Sequence, residues 1–377
     1  MRKIVWICSI YPTSHDPFLG DFIKRHFEAA SMHCDITVVH VCSNYNASAF
    51  EQSESPDLKV HLINVPQQVS ANYLQRQYHF INAYMSWFAN YIKANGKPEL
   101  VHVHNSVHGA FIGWLVKKRY GIPYLLTEHS SVFLPESALW KKSSTVLRLT
   151  TKSGISGASG LSTVSDALSA GMKKLVHRPA SAIIPNAIDT SLFYYEPVSH
   201  RPAHFIHNTG PEHIKNTFRV LKAISMIKDQ LRKEGFKLIV FGIYRADIDS
   251  KAASLEISDM VEQKGEVPQS LLAGHMRRAA ALIQHSSYET FGCIVAEALA
   301  AGCPVIASEI PAMSELINVN NGICSQLDAI SLSKALKTMA RTYLQYNREE
   351  IAEQTKRRFS YAAVGEQFNQ WYKTFGL

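Results

Sequence analysis

Two acids, Glu289 and Glu297, stand with seven residues between them in the stretch YETFGCIVAEALAAGCPVIASEIPAMSE, Tyr288 to Glu315. From Cys293 the apolar spacing is helical, with Ile294, Ala298 and Ala301 at i, i+4 and i+7. Gly302 stands where a helix C-terminal glycine belongs, and Pro304 prevents continuation. Glu289 therefore falls in the loop before a helix, and Glu297 on its second turn. A helix N-terminus offers unpaired N–H groups and partial positive charge, which suit a phosphate. Carboxylates beside an anion site do not bind the anion. They make sense as acceptors for hydroxyls, such as those of a ribose and a sugar on either side of a diphosphate.

This stretch resembles the donor-site signature of the family 4 glycosyltransferases of GT-B fold. That signature is E-x7-E with Phe-Gly after the first Glu and E-A-x-A-x-G-x-P-V-I from the second. The chain supplies Glu289, Phe291, Gly292, Glu297, Ala298, Ala300, Gly302, Pro304, Val305 and Ile306. Elsewhere the resemblance is patchy in the first half and dense from Ala182 to Gly322. Ile184-Pro-Asn-Ala-Ile-Asp-Thr190 is similar to the family's I-P-N-G-x-D, with Ala187 for Gly. Lys215-Asn216 matches the end of G-R-L-x-x-x-K-G/N, but the Arg is absent, and Asn208, Thr209 and Gly210 stand near its place. Gly265-Glu-Val267 resembles a turn whose backbone faces the nucleotide base. Glu315 and Asn321-Gly322 match a fold signature.

The elements that must position these residues alternate between strand and helix. Ile4–Ile10 reads as a buried strand, although Met1-Arg2-Lys3 before it imitates a signal peptide. The loop YPTSHDPFLGD leads to a helix over Phe22–Ser31. G-x-G-x-x-G is missing, which counts against a dinucleotide dehydrogenase. Strands follow at Ile36–Val41, Val60–Val65, Leu100–His104, Tyr124–Thr127 and Leu161–Val164, with a polar loop at Ser43–Asp57. An aromatic-rich helix spans Tyr73–Ile92, and another His108–Tyr120. Ser165-Asp166 caps the next helix. The second half starts near His204, with strands at Phe205–His207, Phe236–Phe241, Ala281–Gln284 and Val305–Ala307, and a last helix over Tyr361–Phe375. Such alternation calls for doubly wound parallel sheets.

The fold class expected is α/β, GT-B: two Rossmann-like doubly wound domains facing across a cleft. Residues 1–197 form the acceptor-side domain, with the helix 361–377 packing back on it. Residues 203–360 bind the nucleotide sugar, and Pro197 to Pro202 link the two.

The chain carries 39 Lys and Arg against 31 Asp and Glu, a net charge of +8, and 46% apolar residues. This is an ordinary globular composition. Residues 101–152 carry 7 basic and 2 acidic residues. Within them, Ser137–Ser156 mixes Leu139, Val146, Leu147 and Leu149 with Lys141, Lys142, Arg148 and Lys152, a basic amphipathic segment suited to an anionic membrane surface. No run of about twenty uncharged apolar residues is present, so no span is expected. The six cysteines form no C-x-x-C pair and no zinc-finger spacing, which fits a reducing compartment.

The resemblance implies a retaining hexosyltransferase, acting on a nucleotide-diphosphate sugar, UDP before GDP, and a glycan or lipid-linked acceptor. The setting would be cell-surface polysaccharide or lipopolysaccharide synthesis, in the cytoplasm or peripherally on the inner membrane face. His129, in a T-x-H context at a strand end, would contact the sugar from the first domain. Lys215 would stabilise the departing diphosphate and Glu289 orient the sugar. Gly20, Asn208, Thr209, Val267, Thr290, Phe291, Gly292 and Glu297 complete the donor site, with Glu297 on the ribose. His102, His104 and His108 read as structural. No cofactor, metal or nucleic acid is expected; Asp247-Ile-Asp249 has the spelling of D-x-D but lies in another loop. The empty Arg position leaves two alternatives: a non-catalytic nucleotide-sugar-binding partner, or a nucleotide-sugar epimerase on the same fold.

Overall fold

In the computed structural model, the described residues are 2–14, 16–44, 51–55, 59–66, 73–198 and 203–376. The Pro197–Pro202 linker and most of the loop 45–58 therefore lie largely outside them. The chain divides into two compact units, residues 1–187 with 364–377, and residues 188–363. The segment after Ala187 goes with the second unit because Ile188 N–H donates to Phe359 O at 2.7 Å and Phe193 is fully buried.

The first unit is built on β1 (Lys3–Cys8), β2 (Asp35–Asn44), β3 (Glu51–Ser55), β4 (Val60–Pro66), β5 (Leu100–His104), β6 (Tyr124–Glu128), β7 (Gly160–Thr163) and β8 (Ala182–Ile183). They form one sheet in the order β3-β4-β2-β1-β5-β6-β7-β8, parallel except for β3 against β4. β1, β5 and β6 are central and buried nearly end to end, as a sheet covered on both faces requires. The polar stretch Ser43–Asp57 is thus not all loop. Its residues 51–55 add an antiparallel edge strand, which needs only backbone pairing and so carries no apolar alternation.

The expected helices form with small shifts at their ends: Asp21–Ser31, Tyr73–Asn95, Gly109–Tyr120 and Asp166–Val176. Ser165 Oγ accepts from Leu168 N–H at 3.1 Å, the expected cap. The basic segment is two helices, Leu139–Lys142 and Thr145–Gly157. The final helix, Tyr361–Lys373, returns to the first unit. Its Phe368 packs on Trp6, and its Tyr372 hydroxyl meets His102 Nδ1 at 2.6 Å.

The second unit is a wholly parallel sheet of β9 (His204–Asn208), β10 (Lys237–Phe241), β11 (Val261–Gly265), β12 (Ala281–Gln284), β13 (Val305–Ser308) and β14 (Gly322–Ser325). The order β11-β10-β9-β12-β13-β14 is a 3-2-1-4-5-6 doubly wound sheet. Phe205, Val240, Ile283 and Ile306 on the strands meet Leu221, Ile224, Leu332 and Leu336 on the helices to form its core. The strand order reverses between β9 and β12. The connections leaving these two neighbours diverge there and open a crevice beyond their carboxyl ends.

Candidate active site

The sequence-selected residues of the second half all follow carboxyl ends of its strands. Asn208 ends β9, with Thr209 and Lys215 in the loop after it. Val267 follows β11, and Glu289 to Glu297 follow β12. Lys215 and Glu289, 74 positions apart, meet at the switch point: Lys215 Nζ donates to Glu289 Oε1 at 2.7 Å.

Two further donors converge on the same oxygen. Gln284 Nε2 and Ser286 Oγ each reach Glu289 Oε1 at 2.8 Å. Ser286 is itself held from behind, since its carbonyl accepts from Ser308 Oγ at 2.6 Å. Oε1 is thus saturated, while Oε2 takes none of these bonds and can accept from a ligand hydroxyl. Burial works to raise the Glu289 carboxyl. The Lys215 ammonium, with the bonds from Lys215, Ser286 and Gln284, outweighs it and holds the group below its usual range. Gln284 and Ser286 escaped the sequence reading, although both stand just before Glu289 at a strand end.

The loop bearing Lys215 is strapped in place. Asn216 adopts φ 52°, a left-handed conformation that Gly and Asn tolerate best. That explains why either residue fits after the lysine. Its Nδ2 donates to His285 O and to Ser287 Oγ at 3.0 and 2.9 Å, and Ser287 N–H donates to Ile214 O at 2.8 Å. Thr209 is buried, with its hydroxyl tied to Thr217 Oγ1 at 3.1 Å. Its N–H donates to Phe241 O at 2.8 Å, so its backbone donor is committed to the fold as well.

Gly210, at the place of the missing Arg, has no positive φ, and a Cβ there would lie 3.1 Å from Lys215 Cγ. A cation does approach this loop from elsewhere. Arg245 Nη1 donates to Gly210 O at 3.2 Å and to Glu212 Oε2 at 3.1 Å, and Arg245 also pairs with Asp247. Nothing in the motif announced Arg245, because it comes from the connection after β10. Asp247, from the D-x-D spelling, is this arginine's partner.

The helix Cys293–Ala300 starts at Gly292, whose φ is 95° and whose Cβ would meet Met313 Cε at 2.5 Å. Gly292 is therefore fixed by both conformation and space. Phe291 is buried against Phe359, so it anchors the loop rather than offering a face to a ligand. Glu297 is on the second turn and buried. Gly302 closes the helix at φ 71°. Thr290 and Val267 are half-buried.

In the first unit Gly20 precedes its helix at φ 80°, and a Cβ there would lie 3.0 Å from the Tyr11 backbone. His129 follows β6 but is only 5% exposed, within a cluster of buried histidines. Its Nε2 faces His104 Nδ1 at 3.1 Å, and its ring packs near His26 and Phe22. Glu128, also fully buried, accepts N–H bonds from Ser106, His129 and Ser130 at 2.9, 2.9 and 2.7 Å and a bond from Ser106 Oγ. His102 remains structural, bonded to Thr127 Oγ1 at 2.7 Å and to Tyr372.

Both halves match family models. Residues 25–192 match "Glycosyltransferase Family 4" and residues 204–358 match "Glycosyl transferases group 1". An uncharacterized glycosyltransferase of Methanocaldococcus jannaschii is 24% identical over 320 residues, 84% of this chain and 83% of its own. Sucrose-phosphate synthase of Thermosynechococcus elongatus shares the fold at TM-score 0.78 and 16% identity, over 99% of each chain. Anabaena HepE, solved with UDP and glucose, superposes at TM-score 0.74 and 14% identity, over 99% of this chain and 100% of its own. With each half matched to a glycosyltransferase family and the fold shared end to end, the chain belongs to the family 4-like GT-B glycosyltransferases.

Proposed function

We propose that the protein is a retaining hexosyltransferase whose donor is a nucleotide-diphosphate sugar, UDP-linked before GDP-linked, held by the second unit. The observation that carries this reading is the Lys215–Glu289 pair at the β9/β12 switch point, with one Glu289 oxygen saturated and the other open. The open oxygen suits a sugar hydroxyl. Lys215 and the helix N-terminus at Gly292 suit the diphosphate, whose charge grows as the C1–O bond breaks. Glu297 would take the ribose, with Asn208, Thr209, the Val267 turn, Thr290 and Gly20 completing the donor contacts. His129 would approach the sugar as the resemblance implies. Lysine and backbone dipoles supply the charge compensation, so transfer proceeds without a divalent metal.

The acceptor proposed is a glycan or lipid-linked saccharide of cell-surface polysaccharide or lipopolysaccharide synthesis, met at the inner membrane face. Val146 and Leu149 support that setting. They stand 62% and 61% exposed on a helix that also carries Arg148 and Lys152. No helix among the described residues is long and apolar enough to cross a membrane.

The test is incubation with UDP- and GDP-sugars and acceptor extract, reading nucleotide release and the anomeric configuration of the product. Retained configuration is expected; inverted product refutes the mechanism. Gly210 favours one other reading, a non-catalytic nucleotide-sugar-binding partner, because the residue at that position carries no cation, the nearby Arg245 is bound to Glu212 and Asp247, and Lys215 is already paired. Donor binding without turnover on any acceptor would select it.

A further inference from the structure

We propose that the second unit carries a binding groove for an uncharged oligosaccharide, at the outer edge of its sheet and apart from the donor site. The groove has a volume of about 860 Å³, within the range of sites that take small molecules. Three segments wall it: the turn before β14 with the first residues of that strand, the end of the helix Ala329–Thr342 with the turn after it, and the start of the helix Arg348–Phe359. β14 is an edge strand, and the turn lies at its amino end. The donor residues of this unit follow the carboxyl ends of other strands. A molecule held in the groove does not touch the reacting atoms.

The walls are polar with little charge. Six side-chain amides meet there, from Asn318, Asn320, Asn321, Gln345, Asn347 and Gln354, and Glu350 is the one charged residue among those that line the groove. A site for phosphate, nucleic acid or an acidic polymer needs cations, and no Lys, Arg or His is among the lining residues. An amide sets a donor beside an acceptor, which matches sugar hydroxyls, each of them both donor and acceptor. Sugar rings also present apolar C–H faces. Val319, Ile323 and Tyr346 supply surface of that kind, and Val319 stands 89% exposed.

Some of these groups hold the groove, and others are left to bind. Asn321 is committed to the fold: its Nδ2 donates to Leu316 O at 2.9 Å, and its Oδ1 accepts from Asn318 N–H at 2.8 Å. Asn318 Oδ1 accepts from Asn320 N–H at 2.9 Å, which leaves the Asn318 Nδ2 donor. Asn347 Oδ1 caps its helix by accepting from Glu350 N–H at 3.2 Å, which leaves Nδ2. Glu350 Oε1 accepts from Gln354 Nε2 at 2.8 Å and Arg357 Nη2 at 3.4 Å, which leaves Oε2. The side-chain amides of Asn320 and Gln345 and the Tyr346 hydroxyl make no bond among the described residues. Asn318, Asn320, Gln345, Asn347 and Glu350 are all exposed. The turn and the cap thus fix the backbone from which free donors and acceptors project, which lowers the ordering cost of binding.

The experiment titrates the full chain with maltohexaose, cellohexaose and mannohexaose, read by saturation-transfer NMR on the sugar, with hexagalacturonate as the charged comparison. Saturable binding of at least one neutral hexasaccharide is expected, with a dissociation constant of about 1 mM or tighter. Hexagalacturonate should bind less well, because Glu350 repels it. Asn318→Asp keeps the acceptor that holds the turn and removes the free donor. Tyr346→Phe keeps the ring and removes the hydroxyl, and Gln345→Ala removes an exposed amide. Each should weaken binding about three- to tenfold, the scale of one hydrogen bond, with the circular dichroism and melting temperature of wild type. Absence of saturable binding by all three neutral sugars overturns the proposal. So does affinity unchanged in the folded variants, or hexagalacturonate bound as tightly as the neutral sugars. No readout depends on sugar transfer, so failure here leaves the proposed reaction standing.

Discussion

Lys215 Nζ and Glu289 Oε1 form a 2.7 Å ion pair whose side chains are 19% and 16% exposed, so the residue assigned to the diphosphate and the residue assigned to the sugar are partners before any donor arrives. A paired lysine offers a leaving group less net charge than a lone one. As the diphosphate gains charge in the transition state, the lysine's pull on it strengthens relative to the ground state. The two roles are therefore coupled.

From this follows a contrast between two variants. Lys215→Ala should lower turnover by about 10²–10³, the usual effect of losing one charge-stabilising donor, and should weaken UDP binding as well. Glu289→Gln should lower turnover comparably but leave UDP affinity unchanged or tighter, because it releases the lysine. Calorimetry with UDP beside steady-state turnover checks both. Equal losses of UDP affinity in the two variants would refute the division of roles.

The alternation of strand and helix was legible because buried parallel strands are apolar runs, and β5 and β12 fall where the pattern placed them. The donor loop was legible because Gly292 and Gly302 mark a helix start and stop by backbone geometry. What escaped is what only the fold brings together. Arg245 reaches Gly210 across 35 positions, and Lys215 reaches Glu289 across 74. His104 reads singly as structural, because no short spacing joins it to His129, whose Nε2 its Nδ1 faces at 3.1 Å. Residues 51–55 read as loop because an edge strand held by backbone pairing needs no apolar pattern.

Glu297 tests the ribose assignment. Buried on the second turn of the donor helix, it should interact with the nucleoside rather than with the transferred sugar. Glu297→Ala should weaken UDP by about 1–3 kcal/mol, the scale for lost charged hydrogen bonds. Sugar transfer at saturating donor should change less than affinity does. A variant that binds UDP like wild type but has lost turnover would move Glu297 to the sugar.

The basic helical segment should bring the protein to anionic vesicles. Leu139, Val146 and Leu149 are exposed beside Lys141, Lys142, Arg148 and Lys152, and an apolar ridge with a cationic border is the form of an interfacial patch. Sedimentation with anionic liposomes at low salt, and release at about 0.5 M salt, where screening is short-ranged, is the expected result. Replacing Lys141, Lys142 and Arg148 by Ser should abolish it. If the triple variant still sediments, these cations are only a solvated face.

Acid should weaken both units at a pH set by buried histidines rather than by carboxylates. Burial lowers His26 in the first unit, and His207 and His285 in the second, to about 4. Carbonyl bonds from Pro185, Ile283 and Gln326 oppose the shift only in part. In the unfolded chain these groups take protons near the ordinary value of about 6.5. The unfolded state therefore binds protons first as pH falls, and stability declines from about 6.5 down to about 4. Above that window all are neutral in both states and the stability is fully present. Each group contributes about 1.4 kcal/mol per pH unit inside the window, so His207 and His285 together remove about 3 kcal/mol per unit from the second unit. Glu289, whose folded pKa is lowered, adds a loss of the same sign at lower pH. Urea midpoints at pH 7.5, 6.0 and 5.0 should fall steadily, and His285→Gln should flatten the second unit's part of the slope. A midpoint that stays constant from pH 7.5 to 5.0 would mean that these rings charge freely in the folded protein.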